Sequence, residues 1–300
     1  MGKQWTANSG GVAWVLELER DRLLPGRLVA GKVTITASHG VAARGLLVTL
    51  SGEEHWRYDQ TVTDGQGHTH TEIRRATADL PPEPVMVSGP LNLAAGETRT
   101  FDVSLPVPEL GPATLEATEA GASWTVEAKL DIASASDSSI EVPVWIVQPI
   151  ALLRAGVVHV GEFALYEGAD AVAGEVTGSI KLDPAPLVAG ASFTGTLTLV
   201  PRSTLELQEI RLEVRVLVKA TVGGGRSETI VPWSAIVARP ATLSAGVEIP
   251  VSGTLPDVAL PTIELPHGTA RAEVHVILAK AWARDPHLVR DVAIATTSEL

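Results

Sequence analysis

Of the 300 residues 45% are hydrophobic, enough to bury a substantial core, which argues against a disordered chain. The net charge of −12 divides as −8 over residues 1–149 and −4 over the remainder, so neither half is basic and a nucleic-acid partner or an anionic membrane surface is disfavoured. The absence of cysteine removes disulfides, thiolate metal sites and cysteine nucleophiles, and fits a reducing compartment.

The N-terminus, Met1-Gly2-Lys3-Gln4-Trp5-Thr6, lacks the apolar run of a signal peptide, and no stretch of about 18 apolar residues exists to span a bilayer. Gly2 with Thr6 fits the degenerate myristoylation pattern. Against it, 17 arginines face 6 lysines amid abundant Ala, Gly and Val, which points to a GC-rich bacterial genome, where that modification is generally lacking. A cytoplasmic protein without a transmembrane segment is expected.

From Trp14 onward the chain alternates, with Trp14, Leu16 and Leu18 against Glu17 and Glu19, a half-buried strand. A turn at Asp21–Gly31 leads to Lys32–Ala37 and then to Gly45–Gly52, whose Leu46, Val48 and Leu50 share a face. Glu53–Arg75 reads as a polar, extended hairpin with Asp64-Gly65-Gln66-Gly67 at its tip. Pro81–Pro90 reads as a loop. Phe101, Val103 and Leu105 form the next strand, ended by Pro106. Ala113–Ala120 is the only helical candidate, too short to stand alone. Trp124–Leu130 and Ile140–Ile146 close the half with two further alternating strands.

Residues 150–173 are the least regular stretch and read as a packed connection between domains. Beyond it come Gly178–Leu182, then Phe193, Leu197 and Leu199, then Ile210–Val216 with a glycine hairpin tip at Val222–Arg226, and finally Ala272–Leu278. Leu24-Pro25-Gly26 with Gly31 has an echo in Leu187-Val188-Ala189-Gly190 with Gly195, each placing two glycines five apart. Gly96 to Pro106 spans the same interval as Gly246 to Pro256, and Pro112 to Lys129 the same as Pro261 to Leu278. Agreement at three spacings indicates a duplicated β-sandwich. The expected fold is all-β: two tandem antiparallel immunoglobulin-like β-sandwich domains at 1–149 and 174–300, joined by 150–173.

The order of these motifs resembles the arrestin fold family. The first half is similar to an arrestin N-domain through Pro25-Gly26 with Gly31-Lys32-Val33, Leu46–Glu53, Ala95-Gly96-Glu97-Thr98, Leu105-Pro106 and Trp124–Leu130. The second is similar to a C-domain ending in Ala283–Leu288 and a final strand at Asp291–Ile294. The chain also resembles bacterial arrestin-like proteins, including the sporulation-control group. The resemblance implies a non-enzymatic adaptor or scaffold that binds protein partners, has no cofactor, and works in bacterial developmental or stress regulation. The first strand departs from receptor-binding arrestins in carrying Glu17 and Glu19 in place of basic phosphate-sensing residues, and no Pro-Pro-x-Tyr sequence occurs.

Few residues announce chemistry. His68 and His70 stand two apart on the hairpin that also carries His55, a spacing open to a shared metal or to a solvent-exposed polar hairpin. Arg284, Asp285, His287, Arg290 and Asp291 form a charged cluster, most simply a solvated loop; the resemblance implies, as the alternative, an interdomain polar contact for Arg284, Asp285 and Asp291. The Gly223-Gly224-Gly225 run lacks the Lys-Ser/Thr of a phosphate loop, Glu53 and Glu54 point to opposite strand faces, and no nucleophile elbow or HExxH is present. No enzyme is expected. Open sheet edges are the expected functional surface, for a partner strand or for another copy; Trp5, read as preceding the first strand, and Trp56, on the polar hairpin, are packing residues by default and interface anchors as the alternative. The rival is a self-assembling structural β-sandwich protein. An extracellular binding module would require a signal peptide.

Overall fold

In a computed structural model the described residues are 2–132, 136–155, 169–173, 176–240, 242–281, 285 and 287–299. They form the all-β architecture that the alternation requires. Two compact units emerge, one of Met1–Glu54, Thr77–Thr114 and Ala122–Val147, the other of His55–Ala76, Leu115–Gly121 and Gln148–Leu300.

The chain begins with β1 (Lys3–Ser9), β2 (Val12–Leu18), β3 (Arg22–Leu23), β4 (Leu28–Ala37) and β5 (Val41–Thr63). It continues through β6 (Thr69–Ser88), β7 (Leu91–Leu93), β8 (Thr98–Pro106), β9 (Ala120–Ile132) and β10 (Ser138–Ile146). One sheet has the order β1-β2-β4-β8, the other β3-β10-β9-β5-β6 with β7 also on β5. Period-two patterning puts Val12, Trp14, Leu16 and Leu18 of β2 and Val33, Ile35 and Ala37 of β4 into one core with Leu46, Val48 and Leu50 of β5 and Trp124, Val126 and Ala128 of β9. Trp14 Nε1 donates to Ser138 Oγ at 2.9 Å, and that hydroxyl donates to Ser9 O at 2.6 Å, so the indole's polar end is satisfied inside the core.

Several expectations change here. Trp5 lies inside a strand, opposite Leu16, and packs on the core. Gly45–Gly52 and the first arm of the polar hairpin are one continuous strand, β5, and the hairpin's second arm opens β6. Pro81–Pro90 is not a loop, because β6 runs to Ser88 through Pro81, Pro82 and Pro84. The sheet tolerates them because β6 is its terminal strand, where an N–H on the open side has no ladder bond to lose; Pro82 and Pro84 share one side of the strand and Pro81 takes the other. Ala113–Ala120 forms no helix; its N–H groups bond elsewhere, that of Thr114 to Ile146 O at 2.8 Å and that of Glu116 to Ala259 O at 2.8 Å.

The second unit contains α1 (Ile150–Ala155), β11 (Ala169–Ala173), β12 (Val176–Asp183), β13 (Leu187–Val188), β14 (Ser192–Pro201), β15 (Leu205–Glu206) and β16 (Glu209–Ala220). β17 (Ser227–Ala238), β18 (Thr242–Leu243), β19 (Val247–Thr254), β20 (Ile263–Leu265), β21 (Gly268–Ala279), β22 (His287–Val292) and β23 (Ile294–Ala295) follow. One sheet is ordered β11-β12-β14-β19, another β17-β16-β21-β20 with β22 on β21. Of the expected connection at 150–173, the ends are regular: α1 is a short helix, and β11 is a strand pairing β12. Residues 156–168 lie outside the described residues.

One turn occurs twice. Gly26 (φ 71°) donates its N–H to Val107 O at 3.1 Å, and Val107 N–H returns to Arg27 O at 2.9 Å. Gly190 (φ 75°) donates to Leu255 O at 3.1 Å, and Leu255 N–H returns to Ala191 O at 3.1 Å. Both backbones occupy the left-handed region where glycine is unstrained. A Cβ on Gly31 would stand 2.6 Å from Glu17 O, and one on Gly195 2.3 Å from Lys181 O. Thr114 and Ile146 exchange two bonds, Thr114 N–H to Ile146 O at 2.8 Å and Ile146 N–H to Thr114 Oγ1 at 2.9 Å; Thr262 and Ile294 do the same at 3.0 and 2.9 Å.

These pairs correct the register read from the sequence. Gly26 and Gly190 are 164 apart, whereas Thr114 and Thr262 are 148 apart. Leu28 faces Pro106 and its equivalent Ser192 faces Thr254, so Pro106 corresponds to Thr254 and not to Pro256. By the same offset Lys129 corresponds to Ile277, not Leu278. Leu278 shares the core face with Val274 and Val276, whereas Lys129 lies on the face opposite Ala128 and Leu130, and a one-residue slip exchanges the faces. Only the glycine spacing marks equivalent residues.

Candidate functional site

The far part of the long hairpin is built into the second unit. Residues His55–Asp59 of β5 meet two segments, Leu115–Gly121 and the glycine-rich turn between β16 and β17. Asp59 N–H donates to Gly224 O at 2.9 Å, Arg226 N–H to Arg57 O at 3.2 Å, and Arg57 N–H to Glu119 O at 2.9 Å. His55 Nε2 donates to Ala117 O at 3.0 Å. The Trp56 ring stacks on His267 with centroids 3.9 Å apart and planes 11° apart, so this tryptophan is a packing residue.

Charged side chains fasten the same place. Arg226 donates from Nη1 to Asp59 Oδ1 at 2.9 Å and from Nε to Glu119 Oε2 at 3.2 Å, while Arg57 Nη1 approaches Glu119 Oε1 at 3.6 Å. The hydrogen bond with Asp59, outweighing desolvation, raises the Arg226 guanidinium above its ordinary value. The Glu119 side chain is only 10% exposed, and both guanidiniums lie against its carboxylate. Glu228 Oε1 accepts the N–H groups of Thr118 at 2.5 Å and Glu119 at 2.8 Å. Every member is engaged by a protein partner, so the cluster pins three backbone segments together.

A second polar group lies on one face of β16, β21 and β22. Glu213 is clamped between Arg215 Nη2 at 2.6 Å and Arg211 Nε at 2.9 Å, and Arg211 Nη1 also reaches Glu209 at 3.1 Å. Burial alone would raise the Glu213 carboxyl, but Arg215 and Arg211 outweigh it and hold the group below its usual range. His275 Nε2 lies 2.7 Å from Glu273 Oε2, and its ring meets His287 edge to face at 6.1 Å. Burial first, then Arg215 and His275, lowers the His287 imidazole, against Asp285 and Glu213.

The residues singled out from the sequence are scattered. His68 lies outside β6 with Nδ1 3.3 Å from Asp64 Oδ2, and His70 Nε2 reaches Glu72 Oε1 at 2.9 Å. The two therefore turn to different carboxylates. Among the described residues no three His, Cys, Asp or Glu groups come together to hold a metal ion. Arg284 lies outside the described residues. Asp285 Oδ1 accepts the N–H of Lys280 at 2.9 Å, and Asp291 lies on β22 opposite Glu273. The Arg226 cluster went unseen because its partners are more than 100 residues apart and Leu115–Glu119 has no strand alternation to mark it.

The structure is an all-β sandwich fold with a turn that occurs twice. Within it, residues 9–154 match the family model Spo0M, described as SpoOM protein, a sporulation control family. That stretch is similar to the group the motif order pointed to. No curated protein matches the chain. Among the described residues no helix is long and apolar enough to cross a membrane.

Proposed function

We propose that the chain is a non-enzymatic protein-binding adaptor or scaffold, working in the cytoplasm in bacterial developmental or stress regulation. The observation that carries this reading is the match of residues 9–154 to a sporulation control family. Open edges support it. β17 ends its sheet and leaves Val231 46% and Ile236 43% exposed, a backbone ladder and apolar side chains suited to an added strand. The engaged charges of the Arg226 cluster favour a holding role over a catalytic one. Cross-linking in the native cell, followed by pull-down of the wild type and of a Val231→Lys/Ile236→Lys variant, tests it. A partner recovered with the wild type and lost from the folded variant is expected; recovery of the chain alone would overturn the reading.

A self-assembling structural protein is the second reading, favoured by the long terminal strand β6. Sedimentation that grows without limit as concentration rises would support it over the adaptor.

A further inference from the structure

β6 is terminal in its sheet, with β5 as its neighbour, and residues Thr69–Arg75 are exposed or half-exposed. Ile73 is 50% exposed at the middle of this stretch. No proline interrupts it; the turn at Gly67 bounds it on one side and Pro81 on the other. Among the described residues no strand lies on its far side, and an edge of this kind presents backbone N–H and C=O groups to an added strand.

The side chains say what fits. A second copy that continues the same sheet antiparallel is related by a two-fold axis perpendicular to it, so opposed residues share a face and their numbers differ by an even count. Glu72 and Arg74 meet that condition and lie on one face, their side chains 2.5 Å apart within the strand, with His70 on Glu72 at 2.9 Å. With Ile73 on the axis, Glu72 faces Arg74 of the second copy, and this pair forms twice. Thr71 then faces Arg75, His70 faces Ala76, and Ile73 faces itself. No like charges are opposed anywhere in His70–Ala76. The terminal strand β8 fails the same condition. Its Arg99 and Asp102 are three apart, so joining them across an axis would set the core face of one sheet against the solvent face of the other.

We propose that His70–Ala76 is a self-recognition edge at which two copies of this chain pair antiparallel about Ile73 through reciprocal Glu72–Arg74 ion pairs. The interface is small, so it forms reversibly. It is independent of any client and closes at two copies.

Charge exchange tests it on the full chain. Sedimentation of the wild type from about 5 to about 500 µM, the range suited to a small interface, should show a monomer–dimer equilibrium. Glu72→Arg alone and Arg74→Glu alone each oppose like charges twice and should weaken the dimer by roughly tenfold or more. The double exchange, and an equimolar mixture of the two single variants, should restore it. Circular dichroism on each single variant separates lost association from lost fold, and the mixture keeps the test valid if the double variant misfolds. A wild type monomeric throughout, single variants that dimerise like the wild type, or a mixture of folded variants that stays monomeric would each overturn the proposal. Assembly beyond the dimer would overturn its closed symmetry.

Discussion

The β5–β6 and β16–β17 hairpins start on equivalent residues and finish differently. Leu46, Val48 and Leu50 fill the first core as Ile210, Leu212 and Val214 fill the second. β16 and β17 then stop after 12 residues each, whereas β5 runs for 23 and β6 for 20. The drop in offset from 164 to 148 falls between these hairpins' shared start and the later strands, so the second copy is sixteen residues shorter there. What repeats is what a sandwich needs to close: the tight turn, the glycine under a neighbouring carbonyl, the threonine clasp. What does not repeat carries the polar cluster and the self-complementary edge. Duplicated parts hold the fold, and the unduplicated hairpin is where a specific task has room to reside.

The repeat is most sharply tested at the crowded glycines. Gly31→Ala and Gly195→Ala each drive a methyl into a backbone carbonyl that cannot rotate away, and each should cost about 3 kcal/mol in urea unfolding. Equal losses uphold the equivalence; an unaffected Gly195→Ala breaks it. Next comes the part without a counterpart. Glu119→Ala leaves Arg57 and Arg226 without their shared carboxylate and should cost about 2 kcal/mol, with faster amide exchange at Leu115–Gly121. Thr114→Val and Thr262→Val each strip a buried N–H of its acceptor and should lose about 1.5 kcal/mol, alike in both copies.

The smallest effect is a pH dependence confined to the second unit. His287 titrates below its usual value of about 6.5, so the unfolded chain takes up its proton first. Stability should be flat above that value and decline as pH falls from it toward the depressed folded value. Glu213, held below its usual range, adds stability that is present above about 4.3 and is lost as pH falls through its folded value. His287→Gln should flatten the melting temperature just below about pH 6.5 and leave the lower, acid-driven loss intact. An unchanged slope would rule His287 out as its source.

Strands with clean alternation were legible residue by residue, because burial on one face writes itself into period two: β2, β9, β10 and β16 lie where Trp14–Leu18, Trp124–Leu130, Ile140–Ile146 and Ile210–Val216 place them. Proline misled at β6, since its cost depends on whether a strand has a neighbour on both sides, which no local window reports. Pro106 and Lys129 stand at spacings that coincide with those of Pro256 and Leu278 without being their equivalents, because spacing along the chain carries no information about which face a residue occupies. The Arg226 cluster was illegible for a different reason. Ion pairs between Asp59, Glu119 and Arg226 depend on chain crossings, and single charged residues carry no periodic mark.

The run Pro81-Pro82-Glu83-Pro84 acts on β6 before folding is complete. A 20-residue strand with exposed Ile73 and Met86 would, without interruption, be a template for runaway stacking while the chain is still emerging and concentrated at the site of synthesis. Three residues that cannot donate a backbone hydrogen, with a carboxylate among them, cut that template to the short window before Pro81. The strand thereby keeps a sticky end of limited length, and nascent chains are shielded from aggregation by the same four residues.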